Sequence, residues 1–136
     1  MNIPDFYMSE KANSRNFLFG CIFLVLGLVS VFATKYGGTQ IIVGILFIIL
    51  FNIQKKNPLV RFKDKHLEVK LAPLASKNFV SYKDIISITK PTDKVLELVY
   101  LNGAKDKKLK FHLSLLTPHE GERLLGLLKN RVKDGE

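Results

Sequence analysis

The chain has 136 residues, 47% of them apolar and 24% charged, with a net charge of +9, one Cys and no Trp. That length holds one domain, or one small domain plus an extra element, and is too short for a two-domain enzyme. A single Cys excludes an intramolecular disulfide framework and any multi-Cys zinc site.

The charges are unevenly placed. Asn16 to Gln54 covers 39 residues with Lys35 as its only charge, whereas Lys55 to Glu136 carries 18 basic and 10 acidic groups in 82 residues. Ahead of the apolar part, Met1 to Asn13 mixes Ile3, Phe6, Tyr7 and Met8 with Asp5, Glu10 and Lys11. Two readings stand for this segment, a short interfacial amphipathic piece and a frayed leader.

Asn16 to Thr34 and Tyr36 to Gln54 are each uncharged for 19 residues. As helix, each rises about 28 Å, close to the thickness of a hydrocarbon core. Between them, Lys35-Tyr36-Gly37-Gly38-Thr39 carries a Gly-Gly turn signal and a Tyr suited to a headgroup interface. The pattern predicts a tight transmembrane hairpin with helices near 15–34 and 39–54. A cleaved signal peptide fits less well, because the first apolar run is long and a second span follows at once. A buried soluble hairpin also fits poorly. Ile41 to Phe51 is apolar all round, and the rest of the chain offers no helices to cover it.

Orientation follows from Lys and Arg near the span ends. Lys11 and Arg15 precede the first span; Lys55, Lys56, Arg61, Lys63 and Lys65 follow the second; the loop holds only Lys35. Both termini are therefore expected in the cytoplasm, with a bacterial inner membrane or its equivalent as the location. Small residues Gly20, Gly27, Ser30 and Gly44 let helices approach closely, either within the hairpin or against another membrane protein. Neither span contains Asp, Glu, Lys, Arg or His, which argues against an ion pathway, proton relay or charged-substrate transporter. Cys21 reads as a small hydrophobe.

Beyond Asn57-Pro58 the period changes to that of strands. Leu59–Lys63 and His66–Leu71 are strands around an Asp64-Lys65 turn, the second alternating cleanly between Leu67, Val69, Leu71 and His66, Glu68, Lys70. Ala72–Asn78, with Pro73, is a loop. Phe79–Ser81 is a short strand, Tyr82–Asp84 a turn, Ile85–Thr89 a strand and Lys90–Asp93 a loop. Lys94–Leu101 and Lys107–His112 pair across Asn102-Gly103, a strong hairpin signal. Thr117-Pro118-His119-Glu120 is a capping box, and Leu124, Leu125, Leu127, Leu128 and Val132 follow at helical spacing. The expected domain limits are residues 1–14 for the leader, 15–56 for the hairpin and 57–136 for the cytoplasmic domain.

The short strands, the Ser81-Tyr82-Lys83-Asp84-Ile85 turn entering a strand, the Asn-Gly hairpin and the capped Leu-rich helix resemble a bacterial pleckstrin-homology-like domain over about residues 58–132. The resemblance implies a two-sheet, half-open antiparallel β-barrel capped by the last helix; with the N-terminal transmembrane helical hairpin read from the apolar runs, the expected class is an α+β membrane protein. It also implies a seventh strand, within Leu71–Phe79 or between Phe111 and Leu116.

Catalytic chemistry is sparse. His66, His112 and His119 lack metal-ligand spacing and read as surface histidines. Asp84 reads as a turn residue accepting backbone N–H bonds. No nucleophile elbow, P-loop or zincin motif occurs. The chain is therefore expected to be no enzyme, and to need no metal, cofactor or small-molecule substrate. The basic charge is the remaining signal. Lys55, Lys56, Arg61, Lys63 and Lys65 fix topology and hold the domain at an anionic leaflet, or line a headgroup site in the first hairpin. Lys105, Lys107, Lys108 and Lys110 form a second basic run, a solvated strand face or a patch for an acidic partner. Nucleic acid is not an expected partner, since neither an aromatic RNA motif nor a recognition helix is present. The expected function is a membrane-anchored, non-enzymatic adaptor or accessory subunit working by protein–protein contact. The alternatives are a sensor of anionic lipid headgroups and a self-assembling scaffold. Its partners would be the lipid bilayer and a membrane protein or further copies of itself.

Overall fold

The computed structural model describes residues 3, 5–72 and 74–133. Pro73 of the expected loop, Met1, Asn2 and Pro4 of the expected leader, and residues 134–136 lie outside the described residues. The chain divides into two units, Met8–Asn57 and a sheet unit built from Met1–Tyr7 with Pro58–Glu136.

The first unit is a helical hairpin of α1 (Glu10–Thr34) and α2 (Gly38–Lys56). α1 begins five residues earlier than the apolar pattern predicts. Ser9 caps it, its hydroxyl oxygen accepting from the Ala12 N–H at 3.3 Å, so the polar first turn is helical too. Lys35 ends α1 in the left-handed conformation at φ 60°, its N–H donating to the Val31 carbonyl.

Glycines set how closely the two helices pack. A Cβ on Gly20 would lie 3.2 Å from the Gly44 carbonyl, and a Cβ on Gly44 2.9 Å from the Gly20 carbonyl. One heptad on, a Cβ on Gly27 would lie 2.8 Å from the Ile41 nitrogen, and one on Gly37 2.5 Å from the Gly27 carbonyl. Backbone thus rests on backbone at two levels, as small residues permit. Around these points Phe17 meets Phe51 at 5.0 Å between ring centres and Phe23 meets Phe47 at 6.0 Å. Asn16 Nδ2 donates to Gln54 Oε1 at 2.8 Å, closing the open end. Both helices are long and apolar enough to cross a membrane. Little of them is buried within the chain: Asn13, Gly20 and Gly27 of α1, and Gly44 of α2.

The second unit holds two three-stranded antiparallel sheets. The first is β1 (Val60–Phe62), β2 (His66–Val69) and β3 (Asn78–Ser81) in that order; the second is β4 (Ile85–Thr92), β5 (Val95–Asn102) and β6 (Lys105–His112). A 3-10 turn at Tyr82–Asp84 joins the sheets, and α3 (Pro118–Lys133) follows the second. The sheets do not close into a barrel. One core serves all three layers. Val60, Leu67 and Val69 from the first sheet, Leu96, Leu98, Leu109 and Phe111 from the second, and Leu124 and Leu128 from α3 line one apolar space. Period-two alternation supplies the sheet residues and 3.6-residue periodicity the helical ones.

The capping box forms as its spacing predicts: Thr117 N–H donates to Glu120 Oε2 at 3.1 Å, and Glu120 N–H to Thr117 Oγ1 at 3.3 Å. Gly126 sits exposed in α3, and a Cβ there would meet nothing within 4 Å. Gly126→Ala is therefore expected to stabilise the unit by about 0.5–1 kcal/mol, through lower backbone entropy of the unfolded chain. A rise in melting temperature would show it, and an unchanged or lower one would refute it.

Four expectations need correction. Lys90–Asp93 is not all loop, since β4 continues to Thr92. Pro91 is tolerated because β4 is an edge strand, with register shifts between Ile85 and Ser87 and between Thr89 and Thr92. The last hairpin turns one residue later than Asn102-Gly103. Asn102 pairs with Lys105, so Gly103 and Ala104 form the loop, with Gly103 at φ 68° in the first central position. Among the described residues no seventh strand lies in Leu71–Phe79 ahead of β3, which starts at Asn78, or after β6, where Leu113–Leu115 is a 3-10 turn. The segment expected as a leader instead supplies the extra pairing. Phe6 N–H donates to the Val60 carbonyl at 2.9 Å, Leu59 N–H to the Phe6 carbonyl at 2.7 Å, and Phe6 is 3% exposed.

Candidate functional site

The expected basic positions are distributed over both units. Lys55 and Lys56 occupy the exposed last turn of α2, where cations complement the carbonyl end of the helix. In the sheet unit, Arg61 is engaged rather than free: its Nε donates to Asp5 Oδ2 at 3.0 Å. That hydrogen bond, with the Asp5 charge behind it, raises the guanidinium above its ordinary value.

Lys63 and Lys65 are exposed on the β1–β2 turn. Its backbone is held by Tyr82, whose hydroxyl donates to the Lys63 carbonyl at 2.8 Å and whose N–H donates to the Lys65 carbonyl at 3.3 Å. Burial raises the Tyr82 phenol above its ordinary value, so it stays a donor near neutral pH. The turn is therefore a braced mount for two exposed cations. Asp64 lies between them in the chain and is exposed too.

The neighbouring outer face of the first sheet is a charge cluster. Glu68 lies 3.4 Å from Lys77 Nζ and 3.6 Å from His66 Nε2, and the His66 and Phe79 rings are 5.8 Å apart. Burial pushes the Glu68 carboxyl up, but the hydrogen bond and charge of Lys77, the Lys63 charge and the His66 hydrogen bond together outweigh it and hold the group below its ordinary 4.5. A carboxyl lowered in the folded state stabilises above its unfolded value, and the gain is lost as pH falls through the folded one. Stability is expected to drop below about pH 4.5. Glu68→Gln should flatten that part of the melting-temperature profile, and an identical profile for both proteins would contradict this.

Lys105, Lys107, Lys108 and Lys110 all lie exposed on β6, the edge of the second sheet. Lys108 and Lys110 each approach Glu97 at 3.8 Å, so two lysines share one carboxylate. In the hairpin, Gly20, Gly27 and Gly44 face the sister helix. Ser30 is half-buried, and its carbonyl accepts the Thr34 hydroxyl at 2.9 Å.

The void in the sheet-unit core is about 10 Å³, the scale of one water, with apolar lining. Among the described residues no group of His, Cys, Asp and Glu is placed to hold a metal ion. His112, His119 and Asp84 are exposed, and among the described residues Asp84 makes no side-chain hydrogen bond. The turn is formed instead by the Ile85 N–H donating to the Tyr82 carbonyl.

Sequence reasoning missed Asp5 and Phe6 as parts of the sheet unit and the Asn16–Gln54 pair as the hairpin's polar clasp. A signal for the clasp existed, since both amides sit at the open ends of otherwise apolar runs. No protein-family model matches the chain, and no curated protein matches it.

Proposed function

We propose that the chain is a membrane-anchored, non-enzymatic adaptor, with α1 and α2 crossing a bacterial inner membrane and a pleckstrin-homology-like domain in the cytoplasm. One observation carries the reading: two apolar helices lean on each other through glycines and leave large side chains such as Leu18, Phe32, Ile42 and Leu46 at 60%, 87%, 60% and 52% exposure. That surface needs a nonaqueous surrounding. The attached sheet unit offers a filled core and charged faces, a surface suited to contact rather than to conversion of a small molecule. Lys11 and Arg15 in the first turns of α1 and Lys55 and Lys56 in the last turn of α2 support cytoplasmic termini.

The test is alkaline carbonate extraction, then purification from native membranes in mild detergent with mass spectrometry of what co-purifies. The protein is expected to stay in the membrane pellet and to carry a stoichiometric partner. Release by carbonate, or recovery alone as a monomer, would defeat the reading.

A second reading, recognition of anionic headgroups, draws support from Lys63 and Lys65 on the turn braced by Tyr82. It predicts that the full chain in zwitterionic nanodiscs captures phosphatidylglycerol vesicles, and that Lys63→Gln with Lys65→Gln abolishes capture. Equal capture by the variant would dismiss it.

A further inference from the structure

We propose that the free edge of β6 binds an extended acidic segment of a partner protein as an added antiparallel or parallel strand. The inference rests on the adaptor reading and names the surface and the partner chemistry it would use.

The hairpin register decides which backbone groups are free. Asn102 and Lys105 close a two-residue loop, so they exchange both hydrogen bonds, and alternation makes Tyr100–Lys107, Leu98–Leu109 and Leu96–Phe111 the other hydrogen-bonded pairs. Leu113 N–H donating to the Lys94 carbonyl at 2.8 Å continues the same phase. The N–H and C=O groups of Asp106, Lys108, Lys110 and His112 therefore point away from β5. All four residues are exposed, and among the described residues β6 pairs with β5 alone. These groups extend over about 20 Å.

The other sheet edges differ. β4 is broken by Pro91 and two register shifts. β1 has three residues and already pairs with Phe6, and β3 has four. β6 runs eight residues against β5 without a shift. Only charge guards it, since bulges and prolines, the other common protections of an edge, are absent from this strand.

That charge selects the occupant. Lys105, Lys107, Lys108 and Lys110 stand against Asp106 and Glu97, leaving the strand and its flank positive. A second copy of β6 would set lysine against lysine. A strand with a carboxylate at every second position places its acids beside Lys108 and Lys110 on the outer face, while its backbone takes up the free groups of β6.

The probe is a fluorescein-labelled eight-residue peptide alternating Glu and Val, titrated against the full chain in zwitterionic nanodiscs. Its control has the same composition with the acids in one block. Saturable binding at least fivefold tighter for the alternating peptide is expected, with slowed amide exchange at Lys108 and Lys110. Lys108→Glu with Lys110→Glu should weaken it at least tenfold, and Lys108→Gln with Lys110→Gln, which sets no like charge beside Glu97, should weaken it in the same direction. No binding, equal binding of the two peptides, or binding without amide protection would overturn the proposal. So would protection by phosphatidylglycerol in the disc with none by the peptide. A parallel purification from native membranes separates this proposal from the adaptor reading. A partner held equally by wild type and the charge-reversed variant defeats the edge proposal alone, whereas no partner with either protein defeats the adaptor reading and leaves the peptide result to judge the edge.

Discussion

Gly44→Val is expected to break the α1–α2 contact, at a cost of about 2–3 kcal/mol, the upper part of the range for overpacking. The first atom added would lie 2.9 Å from both the Gly20 carbonyl oxygen and the Leu24 nitrogen, and 2.8 Å from Leu24 Cγ. Two of these are backbone atoms, which cannot rotate away as a side chain does, so the helices must separate. Separation also removes the Phe17–Phe51 and Phe23–Phe47 contacts on either side. Gly38→Ala is the control, since a Cβ there meets nothing within 4 Å. The measurement is cross-linking of Asn16→Cys to Gln54→Cys by a short bis-thiol reagent in a Cys21→Ser background, positions whose side-chain amides now meet at 2.8 Å. Gly44→Val should slow cross-linking strongly and Gly38→Ala should leave it unchanged. Equal rates in both would refute the glycine contact as the determinant of the pairing.

Phe6→Ala is expected to destabilise the sheet unit by about 3–5 kcal/mol, the range for a buried aromatic truncated to Ala. Phe6 is 3% exposed, its ring centre is 5.9 Å from that of Phe62, and its backbone completes the free side of β1. β1 is only three residues long, so the loss falls on the weakest strand. Small domains have about 5–15 kcal/mol in total, so the variant should populate open states measurably. Hydrogen exchange of the full chain in mild detergent reads this directly. The amides of Val60, Phe62 and Leu67 should exchange faster than in wild type. Unchanged protection would mean that Phe6 is an ornament on the sheet rather than part of its core.

Much of the architecture was legible because its causes are local. The alternation Leu67, Val69 against His66, Glu68 places β2 and its inward face, and the same logic locates β5 and β6. Thr117 and Glu120 mark the start of α3 through a contact three residues long. The misreadings have a common origin. Pro91 looks like a strand breaker in its own neighbourhood and becomes acceptable because, among the described residues, β4 pairs on one side alone. Asn102-Gly103 looks like a two-residue turn, yet the pairing of eight successive residues of β5 and β6 moves the loop to Gly103-Ala104. The candidate surfaces were legible as charge runs, but their arrangement was not. Arg61 belongs with Lys63 and Lys65 in sequence and with Asp5, 56 residues away, in space.

The sequence by itself determined the types of element and their order: two apolar helices, six strands and a capped helix, with an inner and an outer face for β2, β5 and β6. Those follow from periodicity and capping, which act over a few residues. Only the tertiary structure decided that Phe6 joins β1, that Gly20 meets Gly44 and Gly27 meets Ile41, and that β6 rather than another strand ends as a long regular edge. Each of these is a pairing between distant residues. It forms because a buried backbone group needs a partner and an apolar face needs a cover, and which distant segment supplies them is settled only when all the elements pack at once.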